Sequence, residues 1–235
     1  MNICVIPARG GSKRIPRKNI KNFCGQPMIA YSIASALESK IFDHVIVSTD
    51  DHEIAETSLK YGASVPFIRP ESLSDDYSTS IDVIEHALSW VQKNIGSVKL
   101  VCTLYATAPF TTSKDLISAY EEILKHKDCQ AVYPIVEFDF PIQRAIKLAD
   151  NGSVEMFQPK HLLTRSQDLE KAYHDAGQFY WMKSEFIGSG TSIFSDIARP
   201  IKIPHYRVQD IDTKDDWIRA EFIFKAMNTS LLGDA

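Results

Sequence analysis

Between Pro7 and Asn19 the chain reads Pro-Ala-Arg-Gly-Gly-Ser-Lys-Arg-Ile-Pro-Arg-Lys-Asn, gathering five cations (Arg9, Lys13, Arg14, Arg17, Lys18) around the pair Gly10-Gly11. Glycines let backbone N–H groups approach an anion closely and the cations neutralise it, so the stretch suits a polyphosphate. Its glycine spacing matches neither G-x-x-x-x-G-K nor G-x-G-x-x-G. A solvated basic loop would have a similar composition. This loop, however, directly follows the apolar run Ile3-Cys4-Val5-Ile6, and ligands collect at such strand ends. A second group is acidic: Asp210 and Asp212, within Val208-Gln209-Asp210-Ile211-Asp212-Thr213. Two residues apart in an extended segment, both carboxylates face one side. Hard oxygen donors without His or Cys suit Mg2+ better than a transition metal. The structural alternative makes Asp212 the N-cap of a last helix, with Asp215 three residues on, and leaves Asp210 without a role.

Other polar groups punctuate strand ends and helix starts. Asp76-Tyr77-Ser78-Thr79-Ser80-Ile81-Asp82 opens a helical pattern, where Ser78 or Ser80 could serve simply as N-cap. Leu104-Tyr105-Ala106-Thr107-Ala108-Pro109-Phe110 closes a buried strand, again where a ligand should lie. Arg69, in Pro66-Phe67-Ile68-Arg69-Pro70, reads by itself as a surface arginine after a short strand.

The elements that must carry these groups alternate between two periods. Apolar runs at 3–6, 44–48, 100–104, 131–135 and 179–182 read as buried strands. Between them lie helical stripes: Ile29, Ile33, Leu37; Ile54 to Leu59, started by Asp50-Asp51; Ile81, Ile84, Leu88, Val91; residues 113–126; and finally Ile218, Phe222, Ala226. This rhythm predicts a three-layer, Rossmann-like α/β fold with a mostly parallel sheet covered on both faces. From about 137 to 175 the rhythm fails, which indicates an excursion from a single domain spanning 1–235. The tail from Thr229 to Ala235 is expected to be loose.

A net charge of −4 removes any global basic field, so no nucleic-acid partner is expected and a polyanion site must be local. No apolar stretch nears the roughly 20 residues of a spanning helix, and Met1-Asn2 runs into a short apolar stretch and then charges, without a leader pattern. No membrane partner and a cytoplasmic location are expected. The scattered Cys4, Cys24, Cys102 and Cys129 suit reduced thiols better than disulfides or a zinc site.

The basic loop resembles the signature of the CMP-sugar synthetases, the sialic-acid-type cytidylyltransferases, and Phe23-Cys24-Gly25-Gln26-Pro27-Met28-Ile29 resembles the wider sugar nucleotidyltransferase pattern. The resemblance runs from Ile3 to about Phe222. It implies that Arg9, Ser12, Lys13, Lys18 and Asn19 embrace the phosphates of CTP across the Gly10 turn. It also implies that the backbone around Ala8, together with Arg69, meets the cytosine. The turn at Ser78 and Ser80 gains nucleotide or sugar contacts, and Mg2+ sits at Asp210 and Asp212. Arg9, Lys18 and Asp212 would carry catalysis, largely by positioning and charge neutralisation.

On the sugar side, sialic acid enzymes carry Leu-Gln-Pro-Thr-Ser-Pro where this chain has Tyr105 in place of the glutamine. Arg165-Ser166-Gln167-Asp168 matches an Arg-x-Gln-Asp motif, but Tyr173-His174-Asp175-Ala176-Gly177-Gln178 replaces the sialic-type Asn-Gly-Ala. Together these departures resemble the pseudaminic acid branch, with sialic or legionaminic acid as the alternative acceptor. Tyr105, Thr107, Gln143, Arg165, Gln167, His174, Asp175 and Gln178 are the implied sugar contacts. Arg165 offers its fork to the sugar carboxylate, although an ion pair with Asp168 would account for it structurally. The family also implies a homodimer in which the 137–175 segment, with Pro141-Ile142-Gln143-Arg144-Ala145, reaches the neighbouring site. Two readings from other classes compete: a glycosyltransferase using Asp210-x-Asp212 as its metal motif, and a non-catalytic nucleotide-binding regulator.

Overall fold

A computed structural model describes residues 1–75 and 78–229. The order is β1 (Asn2–Pro7), the short pair β2 (Asn22–Phe23) and β3 (Gln26–Pro27), α1 (Met28–Ser39), β4 (His44–Ser48), α2 (His52–Lys60), α3 (Ser80–Asn94), β5 (Leu100–Leu104), α4 (Ser113–Lys125) and β6 (Ala131–Glu137). There follow β7 (Ile146–Leu148), β8 (Val154–Met156), β9 (Tyr173–Asp175), β10 (Phe179–Lys183), β11 (Ala198–Lys202) and α5 (Lys214–Asn228).

The main sheet runs β11-β6-β10-β5-β1-β4, with β9 paired to β6. β4, β5, β6 and β11 share the direction of β1 through parallel pairings and the intervening strand. Successive residues of β1 serve opposite faces. Cys4 and Ile6 pack with Ile29 and Ile33 of α1 and Leu116 of α4. Ile3 and Val5 pack with Ile84, Leu88 and Val91 of α3. A strand buried on both sides must be apolar throughout, which is why these runs show no polar alternation. All four cysteines are free.

β10 is antiparallel to both β5 and β6, opposing Phe179 to Leu104 and Trp181 to Val132. Its inversion places the segment before Phe179 at the edge where β1, β4, β5, β6 and β11 end. Residues 8–19, 49–51, 105–111, 174–178 and 203–213 therefore all gather at one rim. The expected extended piece near 65–68 lies along the outer strand through bridges from Ser64 to Ile46 and Ile68 to Thr49.

Three expectations need correction. In α5 the buried residues are Trp217 and Ala220, while Ile218 and Phe222 are exposed, so the stripe named the helix but not its inward face. Its N-cap is Thr213, in a capping box with Asp216, and not Asp212. Likewise Thr79, boxed with Asp82, caps α3 where Ser78 or Ser80 was expected. Asp76, Tyr77 and residues 230–235, on which parts of two expectations rest, lie outside the described residues. If Thr213 is the cap, Thr213→Ala should lower unfolding free energy by about 1 kcal/mol in a denaturant melt. An unchanged melt would return the cap to Asp212.

Between β6 and β9 the chain leaves the sheet. β7 and β8 form an isolated hairpin flanked by short 3-10 turns. Phe140, Leu148, Phe157 and Leu163 are exposed along this excursion.

Candidate active site

The basic loop is built on the strand end and on one buried residue. Ala8 continues the ladder by donating its N–H to Ser48 O at 2.9 Å. Gly10 N donates to Asp50 Oδ1 at 3.1 Å, and a Cβ at Gly10 would meet Asp51 Oδ2 at 2.7 Å, so only glycine allows this approach. Asn19 Nδ2 donates to Arg9 O at 2.9 Å and closes the loop. Arg17 is drawn away to Asp51 and Glu53, and its ion pair holds the Asp51 carboxyl at about 2. Ile15, 1% exposed, anchors the loop tip among Phe23, Met28, Phe110, Ile211 and Trp217. The loop is thus part of the apolar pattern, contrary to its charged appearance.

Ile211 belongs to the same cluster. Mounted on one apolar base, the basic and acidic segments meet. Lys18 Nζ donates to Ile211 O at 2.7 Å and to Asp212 Oδ1 at 3.2 Å, while Arg14 Nη2 reaches Asp212 Oδ2 at 2.8 Å. Asp210 has no ion-pair partner among the described residues. Partial burial, and then the neighbouring Asp212 carboxylate, push the Asp210 carboxyl above its ordinary range.

Two cavities flank this junction. The smaller, about 480 Å³, is lined by Arg9, Ser12, Lys13, Arg14, Lys18, Asn19, Arg69, Ser78 and Ser80 among others. The larger, about 870 Å³, is lined by His174, Asp175, Gln178, Asp210, Asp212 and Arg219 among others. Lys18, Tyr105 and Thr107 line both. One half is cationic; the other carries acceptors and imidazoles. Arg69 is a floor residue rather than a surface one: 4% exposed, it donates from Nε to Ser74 Oγ at 3.1 Å and from Nη1 to Ser48 O at 3.4 Å, with Asp50 at 3.5 Å. Burial lowers its pKa from the usual guanidinium value, against the pull of Asp50. Tyr105 stands between the halves, its hydroxyl 3.3 Å from Ser80 Oγ and its ring edge-on to Tyr180 at 5.9 Å. Asp175 accepts from Gly177 N at 2.8 Å and Tyr180 Oη at 2.5 Å.

Several expected contacts lie elsewhere or are otherwise engaged. Ala8 and Gly10 line neither cavity, and their N–H groups are committed to Ser48 and Asp50. Gln178 is buried with both amide ends bound, Nε2 to Arg207 O at 2.6 Å and Oε1 accepting from Thr111 Oγ1 at 3.1 Å. Gln143, Arg165 and Gln167 sit on the excursion, outside both cavities of their own chain. Gln143 Nε2 donates to Glu170 O at 2.9 Å, and Arg165 heads a 3-10 turn instead of pairing with Asp168. Sequence reasoning passed over Arg14, although it stood in the same cation run. It also passed over Arg219, which no strand-end signal marks.

The Cytidylyltransferase family model matches residues 3–217. The chain is 46% identical, over 97% of its length and 98% of the other's, to the pseudaminic acid cytidylyltransferase of Campylobacter jejuni subsp. jejuni serotype O:23/36 (strain 81-176). It is 30% identical, over 98% and 99%, to the CMP-N,N'-diacetyllegionaminic acid synthase of Legionella pneumophila subsp. pneumophila (strain Philadelphia 1 / ATCC 33152 / DSM 7513). Its fold superposes with a TM-score of 0.70 on a CMP:2-keto-3-deoxy-manno-octonic acid synthetase complexed with CTP, at 14% identity and covering 96% and 99% of the two chains. The α/β architecture, the bipartite rim and these matches lead to one assignment: the chain belongs to the cytidylyltransferase family.

Proposed function

We propose that the protein transfers CMP from CTP to the anomeric hydroxyl of a nine-carbon acidic sugar, pseudaminic acid, releasing pyrophosphate. The observation that carries this reading is the pair of cavities joined at Lys18, Tyr105 and Thr107. A triphosphate in the cationic half and a sugar in the other would meet at Lys18. The sugar oxygen forms a bond to the α-phosphorus as the bond to the pyrophosphate oxygen breaks, and the hydroxyl proton leaves to solvent or a nearby base. Arg9, Lys13 and Lys18 neutralise charge that spreads over the phosphoryl oxygens, where fixed cations lower the barrier most.

Asp210 and Asp212 fit a hard divalent ion, Mg2+. They offer two carboxylates and no soft donor, and Asp210 is the one short of a cation. When bound, Mg2+ would supply charge neutralisation at the phosphates. Arg14 and Lys18 hold Asp212 in place from its two oxygens.

Three features favour pseudaminic acid: Tyr105, the His174-to-Gln178 segment, and the 46% identity to an enzyme of that name against 30% for the legionaminic acid enzyme. The excursion over 137–175 is proposed as a dimerisation arm of an otherwise single domain. Its exposed Phe140, Leu148 and Leu163 would be covered, and Arg165 and Gln167 would reach a partner's sugar cavity. A cytoplasmic location is part of the same proposal; among the described residues no helix is long and apolar enough to cross a membrane.

Catalytic efficiencies on pseudaminic, legionaminic and sialic acids test the acceptor. Pseudaminic acid should exceed sialic acid by about 100-fold or more, because a wrong stereoisomer leaves buried polar groups unpaired. Equal efficiencies would remove the assignment.

A further inference from the structure

We infer that Arg207, clamped to Asp115, is the positioning residue that aims Asp210 and Asp212 into the shared rim; the inference rests on the proposed metal role of that pair. Arg207 lies three residues before Asp210. Its Nη1 and Nη2 donate to Asp115 Oδ2 and Oδ1 at 2.6 and 2.8 Å, with side chains only 14% and 12% exposed. Asp115 is itself fixed as the third residue of α4, where Oδ2 accepts from Thr112 N at 2.9 Å and Thr112 Oγ1 at 2.6 Å. The main chain of Arg207 is held as well, its carbonyl accepting from Gln178 Nε2 at 2.6 Å while Gln178 Oε1 is held by Thr111. Side chain and backbone of one residue are thus gripped by the start of α4 and the entry to β10.

On the other side of Asp210 stands the second anchor. Ile211 is 1% exposed beside Ile15 and Trp217, and its carbonyl takes the Lys18 ammonium at 2.7 Å. A short segment pinned at 207 and 211 leaves Asp210 little freedom to turn from the cavity. A buried ion pair is weak evidence for stability, since apolar residues of equal volume often stabilise as well. What a bidentate fork adds is a fixed direction and distance. Burial pushes the Asp115 carboxyl up, but the Arg207 fork and Thr112 outweigh it and hold it ionised, so the fork stays charged. Supports of this kind, one step behind the ligands, typically change metal affinity or activity by about 10–100-fold when removed.

The test uses Asp115→Asn, which keeps an oxygen acceptor for Thr112, and Arg207→Met, which keeps the volume. Arg207→Lys serves should Arg207→Met not fold, since it keeps the charge and loses the fork. Two readouts are taken on the full chain: the Mg2+ concentration for half-maximal turnover at saturating CTP and sugar, and amide hydrogen exchange of residues 208–213 without metal. The expected result is a Mg2+ requirement raised about 10-fold, faster exchange in 208–213, and unchanged protection in the middle of α4. Wild-type values for either readout, or a lowered melting temperature with an unchanged Mg2+ requirement, would overturn the inference. Asp210→Ala, run alongside, separates the two levels. If that variant keeps the wild-type Mg2+ requirement, the metal role itself fails, whereas the exchange result still judges the clamp.

Discussion

Lys18→Ala is expected to reduce turnover by at least about 100-fold, the scale of losing one fixed charge contact to a transition state. Among the described residues, Lys18 is the one cation that lines both cavities. It stands where the phosphoryl group would pass from pyrophosphate to sugar, so its charge matters most when the α-phosphorus is between the two oxygens. Its Nζ also bridges the basic loop to Ile211 O and Asp212 Oδ1. Alanine leaves Arg14 to hold the Asp212 carboxylate and slackens that bridge. The fold should survive, because Ile15 and not Lys18 ties the loop to the apolar cluster. Arg9→Ala should show a loss of similar size for the same electrostatic reason. Steady-state turnover with circular dichroism as the folding control checks both. Near wild-type rates in both variants would contradict the assignment of the phosphate half.

The second large effect is expected at Asp210. Asp210→Ala should abolish turnover or sharply raise the Mg2+ requirement while leaving the melt intact or slightly improved. The sign follows from the raised carboxyl. A carboxyl whose folded-state pKa lies above its unfolded value favours the protonated form, so above that pKa its ionisation opposes folding. Replacing it removes a carboxylate that burial and Asp212 both disfavour, and stability near neutral pH should not fall. Loss of activity together with retained or increased stability is what a ligand gives and a structural residue does not. Full activity at limiting Mg2+ would require the site to be withdrawn. Mg2+ titration of turnover and thermal melts of the same preparation measure both halves.

Much of this arrangement is legible in the sequence itself. Runs such as Ile3–Ile6 and Leu100–Leu104 had to be buried on both faces, and a cation-rich loop after the first of them had to meet an anion. Period and burial, however, say nothing of direction. Phe179–Met182 reads identically parallel or antiparallel, yet only the inverted strand brings His174 and Asp175 to the ligand rim. Helix caps were displaced by one residue because Ser, Thr and Asp serve almost equally as caps, and the box with Asp82 or Asp216 three residues on selects Thr79 and Thr213. In α5, Ile218 and Phe222 share the spacing of a buried stripe, but the helix meets the core only through the face bearing Trp217 and Ala220. The seating of Arg69 against Ser48 O, 21 residues away, and the engagement of Gln178 by Arg207 and Thr111, 29 and 67 residues away, lie beyond any local pattern. Ile15 was hidden by the charges around it, though it ties the basic loop to the acidic one.

Phosphorus NMR of a reaction holding protein, CTP, Mg2+ and pseudaminic acid tests the central claim most directly, because it reads the bond made and the group released at once. Two signals should grow in equal amounts: a phosphodiester joining CMP to the sugar, and free pyrophosphate. CMP without a sugar linkage, CDP with inorganic phosphate, or unaltered CTP with all three nonulosonic acids would contradict the account.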